Sequence, residues 1–345
     1  MSRSELLARL LPAHALPLWV PLLTWYDDQA GVDAEAMVAH ARSIRPVTGL
    51  WMLAGSTGDG WDLDDAQFDM LLDAALDETF VGIGGRALIG ALRPDTEGVL
   101  GRIAQIHARL GTRSGGDPLA QLEIALERGV CGICVCPPVG EDVTQEEILE
   151  HYARVVEAAS LPVAVYQLPQ VTICGLWSGT FLELARRHEE IVLFKDSSGG
   201  DDIALATPPT AGPLLVRGAE SRYADALRAA GGPYDGLLLS TGNSSAPALR
   251  EIVARVFAGR SEEARTISDG FQRFWAEVFA AVESAPVGNA FSNANRSAVH
   301  LARAREHWRE TPPPRLVDGS ELPMPVLEAV AAVLRVWGQA PDTAG

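Results

Sequence analysis

The sequence predicts an α/β protein, a (β/α)8 TIM barrel with a C-terminal helical appendage, and two observations carry this prediction. Short apolar runs alternate with amphipathic helical stretches along most of the 345 residues. The runs are almost continuous in Val, Ile and Leu, as expected of parallel strands that are covered on both faces. Eight such strands, each followed by a helix, favour a closed barrel over the alternative, a doubly wound open sheet.

The predicted elements follow one another in the order that such a barrel requires. The strands are predicted at Leu18–Thr24, Gly49–Leu53, Ala87–Ala91, Gly132–Cys136, Pro162–Tyr166, Ile191–Lys195, Leu214–Arg217 and Leu237–Ser240. The helices between and after them are predicted at Ala34–Arg45, Asp65–Leu76, Thr96–Leu110 with Leu119–Arg128, Gln145–Ala159, Gly179–His188, Arg222–Ala230 and Ala246–Phe257.

Three further helical patterns lie beyond the predicted barrel. They cover Glu262–Glu283, Ala294–Glu310 and Pro325–Trp337. We therefore expect a barrel over residues 1–258 and a helical region over residues 259–345.

Charge and hydropathy exclude two classes of partner. The chain carries 45 acidic residues against 28 basic ones, a formal net charge of −17, whereas a nucleic-acid binder needs a basic face. No apolar run reaches the ~18–20 residues that a membrane span needs. We therefore expect a soluble protein that binds neither nucleic acid nor a membrane.

The cysteines indicate a reducing, cytoplasmic setting. Three of the four lie in the strand-like run Val130–Pro138, with no histidine nearby and no zinc-ligand spacing, so we expect buried thiols and no metal. The apolar N-terminal stretch resembles an export signal only faintly, because Pro12 and Pro17 interrupt it.

Lys195 is the main candidate for a catalytic residue, because it is the only lysine among the 28 basic residues. Arginine can replace lysine where charge is needed, but it cannot replace an amine that must lose its proton and attack a carbonyl. Lys195 ends the sixth strand, at the edge of the barrel where such folds carry their chemistry. The two-residue period directs it into the barrel mouth together with Ile191 and Leu193, with Tyr166 on the neighbouring strand beside it.

These residues support one chemical hypothesis. Lys195 would form an imine with a 2-oxo acid, and the phenol of Tyr166 would carry the proton that must move. The turn Gly55–Gly58 would hold the carboxylate of the substrate with backbone N–H groups and hydroxyls. The protonated imine is itself the electron sink, so we expect no cofactor.

Three motifs extend this hypothesis to a family. The chain resembles the dihydrodipicolinate synthase / N-acetylneuraminate lyase family of class I, Schiff-base aldolases. The Gly-Thr-Thr-Gly-Glu turn of that family corresponds to Gly55–Asp59, its Tyr-Asn-x-Pro motif to Tyr166–Pro169, and its Lys-Asp-Ser-Ser-Gly motif to Lys195–Gly199. The resemblance covers nearly the whole chain and implies a lyase that acts on pyruvate or a longer 2-oxo acid. It also implies a homo-oligomer, a dimer or, as is usual in the family, a tetramer.

The expected site combines both lines of evidence. We expect Lys195 and Tyr166 to be catalytic, and the substrate to be bound by Gly55, Ser56, Thr57, Gly218 and Ser240.

Several departures from the family pattern bear on the substrate. Val139 and Gly140 replace a tyrosine pair, and Gln170–Thr172 stand where the synthases carry an arginine for the carboxylate of their second substrate. We therefore predict that the chain is not an authentic dihydrodipicolinate synthase, unless a remote arginine such as Arg217 substitutes. Residues near Gly101–Asp117 exceed the usual length and predict an inserted helix and loop, a candidate lid.

The motifs leave the reaction itself open. Aldol or retro-aldol cleavage and dehydration all proceed through an imine at Lys195. The alternative is a non-catalytic or regulatory member of the same family that binds a small carboxylic acid.

Overall fold

Eight parallel strands close into a barrel, in which each strand pairs with the next and the eighth pairs with the first. The computed structural model describes residues 1–12, 15–208, 212–285 and 287–338. It confirms the predicted (β/α)8 barrel and excludes the open doubly wound sheet. The strands are β1 (Leu18–Pro21), β2 (Leu50–Leu53), β3 (Arg86–Gly90), β4 (Val130–Val135), β5 (Val163–Gln167), β6 (Ile191–Asp196), β7 (Leu214–Arg217) and β8 (Gly236–Leu238).

The helices surround the barrel and continue beyond it. Several begin at side-chain caps, in which Asp33, Asp64, Asp95 and Thr144 accept hydrogen bonds from backbone N–H groups of the first turn. The helices are α1 (Arg3–Leu10), α2 (Ala34–Ile44), α3 (Asp65–Leu76), α4 (Glu78–Val81), α5 (Thr96–Leu110), α6 (Pro118–Glu127), α7 (Gln145–Ala159), α8 (Pro169–Thr172), α9 (Ser178–Arg187), α10 (Asp202–Ala206), α11 (Gly242–Phe257), α12 (Ser261–Ala281), α13 (Ala290–Ala304) and α14 (Met324–Val336).

The N-terminal end of the barrel is closed by α1. Leu6 and Leu10 of this helix share a core cluster with inward-facing residues near the starts of the strands, such as Trp19 and Leu50. The guanidinium of Arg3 donates to the main-chain carbonyl groups that link α9 to β6. The opposite, C-terminal end of the barrel is left for the site.

The C-terminal helices share a core with the barrel. Leu18 of β1 and Leu237 of β8 belong to the same buried cluster as Trp275 of α12 and Leu301 of α13. This region is therefore packed directly against the barrel wall. Within the described ranges, no helix is long and apolar enough to cross a membrane.

The helix predicted at Arg222–Ala230 does not form. The chain makes turns there and only a short 3-10 segment at Arg228–Ala230. The backbone of Tyr234 exchanges hydrogen bonds with Ala226 and Arg228, which takes up groups that a helix would use. Tertiary pairing overrides the local helical pattern.

The insertion predicted near Gly101–Asp117 is not a separate unit. Its first ten residues continue α5, which ends at Gly111 in the left-handed conformation, and the rest links α5 to α6. The N–H group of Gly115 donates to Ser160 Oγ (2.9 Å), just before β5 begins. The segment therefore lies at the N-terminal end of the barrel and is no lid over the C-terminal end.

Candidate active site

A cavity of about 540 Å³ opens at the C-terminal ends of the strands. Its volume lies in the range of small-molecule sites. Six of the predicted site residues line it: Ser56, Thr57, Tyr166, Lys195, Gly218 and Ser240. Gly55 belongs to the same turn but faces Met52, with its carbonyl accepting from the N–H groups of Gly58 and Gly60.

Lys195 lines the cavity and lies against the ring of Tyr166. The two residues are register partners on β6 and β5, and Nζ of Lys195 lies 3.9 Å from the centre of the Tyr166 ring. Only 4% of Lys195 is exposed. Among the described residues, no carboxylate lies within ion-pair distance of its Nζ. A buried amine without a counter-ion is suited to nucleophilic attack once it is neutral.

The alternation predicted for β6 is interrupted near its start. Leu193 belongs to the inner cluster, as predicted, but Ile191 belongs to the outer one, so the prediction that Ile191 shares the face of Lys195 is wrong. The pairing of β5 with β6 shifts register between Val163 and Ala164, opposite this point. A bulge of this kind reverses the facing of the residues before it.

Gly218 is in contact with the side chain of Lys195. A Cβ atom at this position would lie 2.9 Å from Cε of Lys195 and 2.2 Å from Oγ of Ser197. Any side chain would displace one of them, so this close approach requires glycine.

The turn at Ser56–Gly58 presents hydrogen-bond donors to the cavity. Among the described residues, the backbone N–H groups of Ser56 and Thr57 have no acceptor. Oγ of Ser56 accepts from Nε1 of Trp61 (3.2 Å), which leaves the hydroxyl proton of Ser56 free to donate. Two free amides and a hydroxyl in one turn are the kind of donor set from which anion-binding nests are built.

A carboxylate that the sequence reasoning missed, Glu220, lines another part of the cavity wall. Its Oε1 accepts from Oγ of Ser240 (2.5 Å) and from the N–H group of Thr241 (3.0 Å). Its Oε2 accepts from Oγ1 of Thr241 (2.9 Å) and from the hydroxyl of Tyr223 (3.2 Å). Burial raises the pKa of Glu220, while these donors act in the opposite direction.

The hydrogen bond to Glu220 fixes the polarity of Ser240. A serine hydroxyl has one proton, and the proton of Ser240 is committed to Glu220. Toward the cavity, Ser240 can therefore only accept a hydrogen bond. Ser56 and Ser240 thus offer opposite hydrogen-bonding characters to one ligand.

Arg217 does not reach the cavity. Its Nε donates to Oδ1 of Asp201 (3.1 Å), and its Nη1 donates to the carbonyl of Ala219 (2.7 Å), both behind the barrel wall. The suggestion that Arg217 could bind a second carboxylate is therefore wrong. Of the described lining residues, the charged ones are Lys195, Asp62 and Glu220.

The C-terminal region also contributes to the wall, which the sequence reasoning did not foresee. Asn289 and Phe291, at the start of α13, line the cavity beside the Ser56 turn. Gln170 and Val171 line it as well, whereas Thr172 is buried and donates its hydroxyl to the carbonyls of Leu168 and Cys174.

Comparison with known proteins shows which family the chain is similar to. The model of the dihydrodipicolinate synthetase family matches residues 96–304. The 4-hydroxy-tetrahydrodipicolinate synthase of Pelodictyon phaeoclathratiforme is 26% identical over 271 residues, 78% of this chain and 83% of the relative. The synthase of Stenotrophomonas maltophilia (strain R551-3) is 29% identical over 263 residues, 76% of this chain and 79% of the relative.

Solved structures share the fold at lower identity. KD(P)GA from T. tenax superposes with a TM-score of 0.70 at 19% identity, covering 94% of this chain and 99% of its own. A second structure is YagE from E. coli K12, a prophage protein of the dihydrodipicolinic acid synthase family solved in complex with pyruvate. It superposes with a TM-score of 0.73 at 16% identity, covering 95% of this chain and 100% of its own. At these identities the likeness shows the fold alone.

Proposed function

The chain belongs to the dihydrodipicolinate synthetase family, and on that premise we propose that it is a lyase acting on pyruvate or a longer 2-oxo acid. The observation that carries the proposal is the buried amine of Lys195, which lines the cavity against the ring of Tyr166 and has no carboxylate partner among the described residues. Such an amine is what imine chemistry needs and what a binding protein has no use for.

The reaction begins with the carboxylate of the substrate on the donors of Ser56 and Thr57. Neutral Nζ of Lys195 attacks the carbonyl carbon, and the resulting carbinolamine loses water to give a protonated imine. In cleavage, a hydroxyl proton of the substrate is removed and the adjacent carbon–carbon bond breaks. Its electron pair moves into the imine and forms an enamine. The enamine then takes up a proton at carbon, and water hydrolyses the imine to release the 2-oxo acid.

Tyr166 is the group that moves the proton in these steps. Its ring lies 3.9 Å from Nζ of Lys195, and Tyr166 lines the same cavity as the lysine, which supports this role. Dehydration uses the same imine: a proton leaves the carbon next to the imine carbon, the hydroxyl on the following carbon leaves, the two depart together as water, and a carbon–carbon double bond forms. Both reactions remain within the proposal.

The polarity of the wall supports a finer statement about the substrate. Ser240 can only accept, which suits a neutral hydroxyl on the substrate away from its carboxylate. A second carboxylate would meet Glu220 and Asp62 instead, with no arginine among the described lining residues to pair with it. An unpaired carboxylate in a partly dry site costs on the order of several kcal/mol. We propose that the protein is not an authentic dihydrodipicolinate synthase.

An assay with pyruvate and aspartate semialdehyde, coupled to reduction of the product, tests this negative statement. We expect turnover more than tenfold below that of an authentic synthase. Turnover within tenfold would show that another group binds the second carboxylate.

Assembly and location are part of the proposal too. Ile173 and Trp177 are 57% and 71% exposed, and such apolar exposure supports a homo-oligomer, a dimer or a tetramer. Sedimentation or light scattering tests this. The four unpaired, buried thiols support a reducing, cytoplasmic setting.

Borohydride trapping tests the imine directly. Pyruvate and a panel of 2-oxo acids are incubated with the protein and borohydride, and intact mass is measured. We expect one reduced adduct per chain, mapped to Lys195. Lys195→Arg should keep the folded circular-dichroism spectrum and lose both adduct and activity, because guanidinium stays protonated.

Two outcomes would decide against the lyase. An active Lys195→Arg variant would remove the imine from the mechanism. Saturable binding of a 2-oxo acid to the wild-type protein without any adduct would favour the alternative, a binding or regulatory member of the family.

A further inference from the structure

We propose that the start of α13 is a positioning element for the carboxylate-binding turn. Asn289, Ser292 and Arg296 hold the Ser56–Asp59 turn in the conformation that directs its free amides into the cavity. The inference rests on the proposed function, because it assumes that this turn binds the carboxylate of the substrate.

The turn needs support from outside. Ala54, two residues before the turn, and Asp59, at its end, have φ angles of 48° and 58°, which are unfavourable for residues other than glycine. Inside the turn, only the carbonyls of Gly55 and Ser56 accept from its backbone N–H groups. Strained conformations of this kind persist where the surroundings fix them.

The helix supplies donors for the carbonyls on the far side of the turn. Nδ2 of Asn289 donates to the carbonyl of Ser56 (2.8 Å), and Oγ of Ser292 donates to the carbonyl of Thr57 (2.9 Å). The C=O and N–H groups of a trans peptide point in opposite directions. Anchoring the Ser56 carbonyl to α13 therefore directs the N–H group of Thr57 away from the helix, toward the cavity.

A buried ion pair anchors the end of the turn. Oδ2 of Asp59 accepts from Nη2 of Arg296 (2.7 Å) and from the hydroxyl of Tyr26 (2.9 Å). The same Nη2 donates to the carbonyl of Thr24, whose Oγ1 donates to the carbonyl of Gly58. Arg296 thus connects the turn to the loop after β1.

The helix is rigid enough for this role. Every residue from Ser292 to Leu301 is buried, so α13 is held by packing on all sides. A positioning element must itself be fixed by its surroundings.

Ser292→Ala and Ser297→Ala form a matched pair of variants. Both serines are fully buried on α13, but Ser292 donates to the turn, whereas Oγ of Ser297 has no partner among the described residues. Each variant is trapped with borohydride over a range of pyruvate concentrations, and separately with hydroxyacetone, a carbonyl compound without a carboxylate.

We expect Ser292→Ala to raise the half-saturating pyruvate concentration roughly three- to tenfold, the effect of one hydrogen bond. Trapping of hydroxyacetone should stay unchanged, because that compound does not use the nest. Ser297→Ala should match the wild-type protein in both assays. Arg296→Lys keeps the charge but loses the fixed geometry of the guanidinium. It should raise the half-saturating pyruvate concentration, as Ser292→Ala does.

The outcomes separate this inference from the proposed function. No adduct with the wild-type protein would overturn the proposed function and the inference with it. A normal wild-type adduct, with Ser292→Ala and Ser297→Ala equal in their pyruvate dependence, would overturn the inference alone. An equal loss of pyruvate and hydroxyacetone trapping in Ser292→Ala would also overturn it, since that pattern indicates general disturbance of the site.

Discussion

The two ends of the barrel use their polar groups in opposite ways. At the C-terminal end, three donor groups line a cavity of about 540 Å³ without a hydrogen-bond or ion-pair partner among the described residues: the amides of Ser56 and Thr57 and the amine of Lys195. At the N-terminal end, Arg3 donates hydrogen bonds to three backbone carbonyls, and leucines of α1 close that end of the barrel. The hollow of about 310 Å³ beside α1 has a mostly apolar wall.

The difference shows how one fold divides stability from chemistry. Unpaired donors and strained turns reduce stability, and they can be tolerated only if other parts of the molecule are well packed. In this chain the closed end and the C-terminal helices supply that packing. Changes at one end should therefore alter rates, and changes at the other should alter the free energy of unfolding.

The largest effect is expected at the C-terminal end, from Tyr166→Phe. The change keeps the ring under Nζ of Lys195 and removes only the hydroxyl, so turnover should fall by roughly 10²–10⁴, the usual contribution of a general acid–base group. Steady-state kinetics measures the fall, and borohydride trapping should still give the adduct. Wild-type turnover would mean that Tyr166 only packs against the lysine.

At the N-terminal end, Leu10→Ala should affect stability without affecting chemistry. Leu10 is buried against the starts of the strands, and its truncation leaves a cavity. The free energy of unfolding should fall by about 2–5 kcal/mol, measured by urea denaturation. The kcat and KM values of the folded variant should match those of the wild-type protein. A change in kinetics with unchanged stability would contradict the division between the two ends.

A smaller effect on stability should come from acid, through two buried histidines of the helices around the barrel, His40 in α2 and His151 in α7. His40 donates to Asn243, and His151 is hydrogen-bonded to the carbonyl of Cys136. Burial lowers the pKa of each from 6.5 to about 4. Below pH 6.5 the unfolded chain binds protons that the folded chain does not, so stability falls as the pH falls toward 4. The loss is at most about 1.4 kcal/mol per pH unit for each histidine.

Urea denaturation of His40→Gln at pH 7 and pH 5 measures this effect. The variant should lose less stability than the wild-type protein over that interval. His307→Gln, at an exposed position, should behave like the wild-type protein. Equal losses for all three proteins would mean that His40 does not contribute to the acid sensitivity.

The barrel and its lysine could be predicted because their signals are local. Strand β7 and helices α3, α5 and α7 have the predicted boundaries. The spacing of apolar residues within each of these segments is enough to predict the element, without information from other parts of the chain. Lys195 was identified by its rarity and by its place at the end of a strand, and the structure brings it against Tyr166 as predicted.

The rest of the site depends on contacts between distant segments. Asn289 and Phe291 reach the cavity only because α13 packs behind the Ser56 turn, and no local pattern reports such packing. Glu220 had a usable signal, since it follows β7 closely at the end of the barrel where catalytic groups lie. The prediction of a helix at Arg222–Ala230 is wrong because the backbone of Tyr234 forms hydrogen bonds with backbone groups in this segment that a helix would use.

Because Lys195 is buried in the cavity, the rate of amine-directed labelling reports how accessible the cavity is. Apart from the α-amino group, Nζ of Lys195 is the only primary amine in the 345-residue sequence, and Lys195 is 4% exposed and lines the cavity. Acylating reagents of increasing size should therefore modify one side chain at rates set by the width of the mouth. Acetylation of Lys195 would also remove its nucleophilic amine, so the extent of acylation at Lys195 would equal the extent of inactivation.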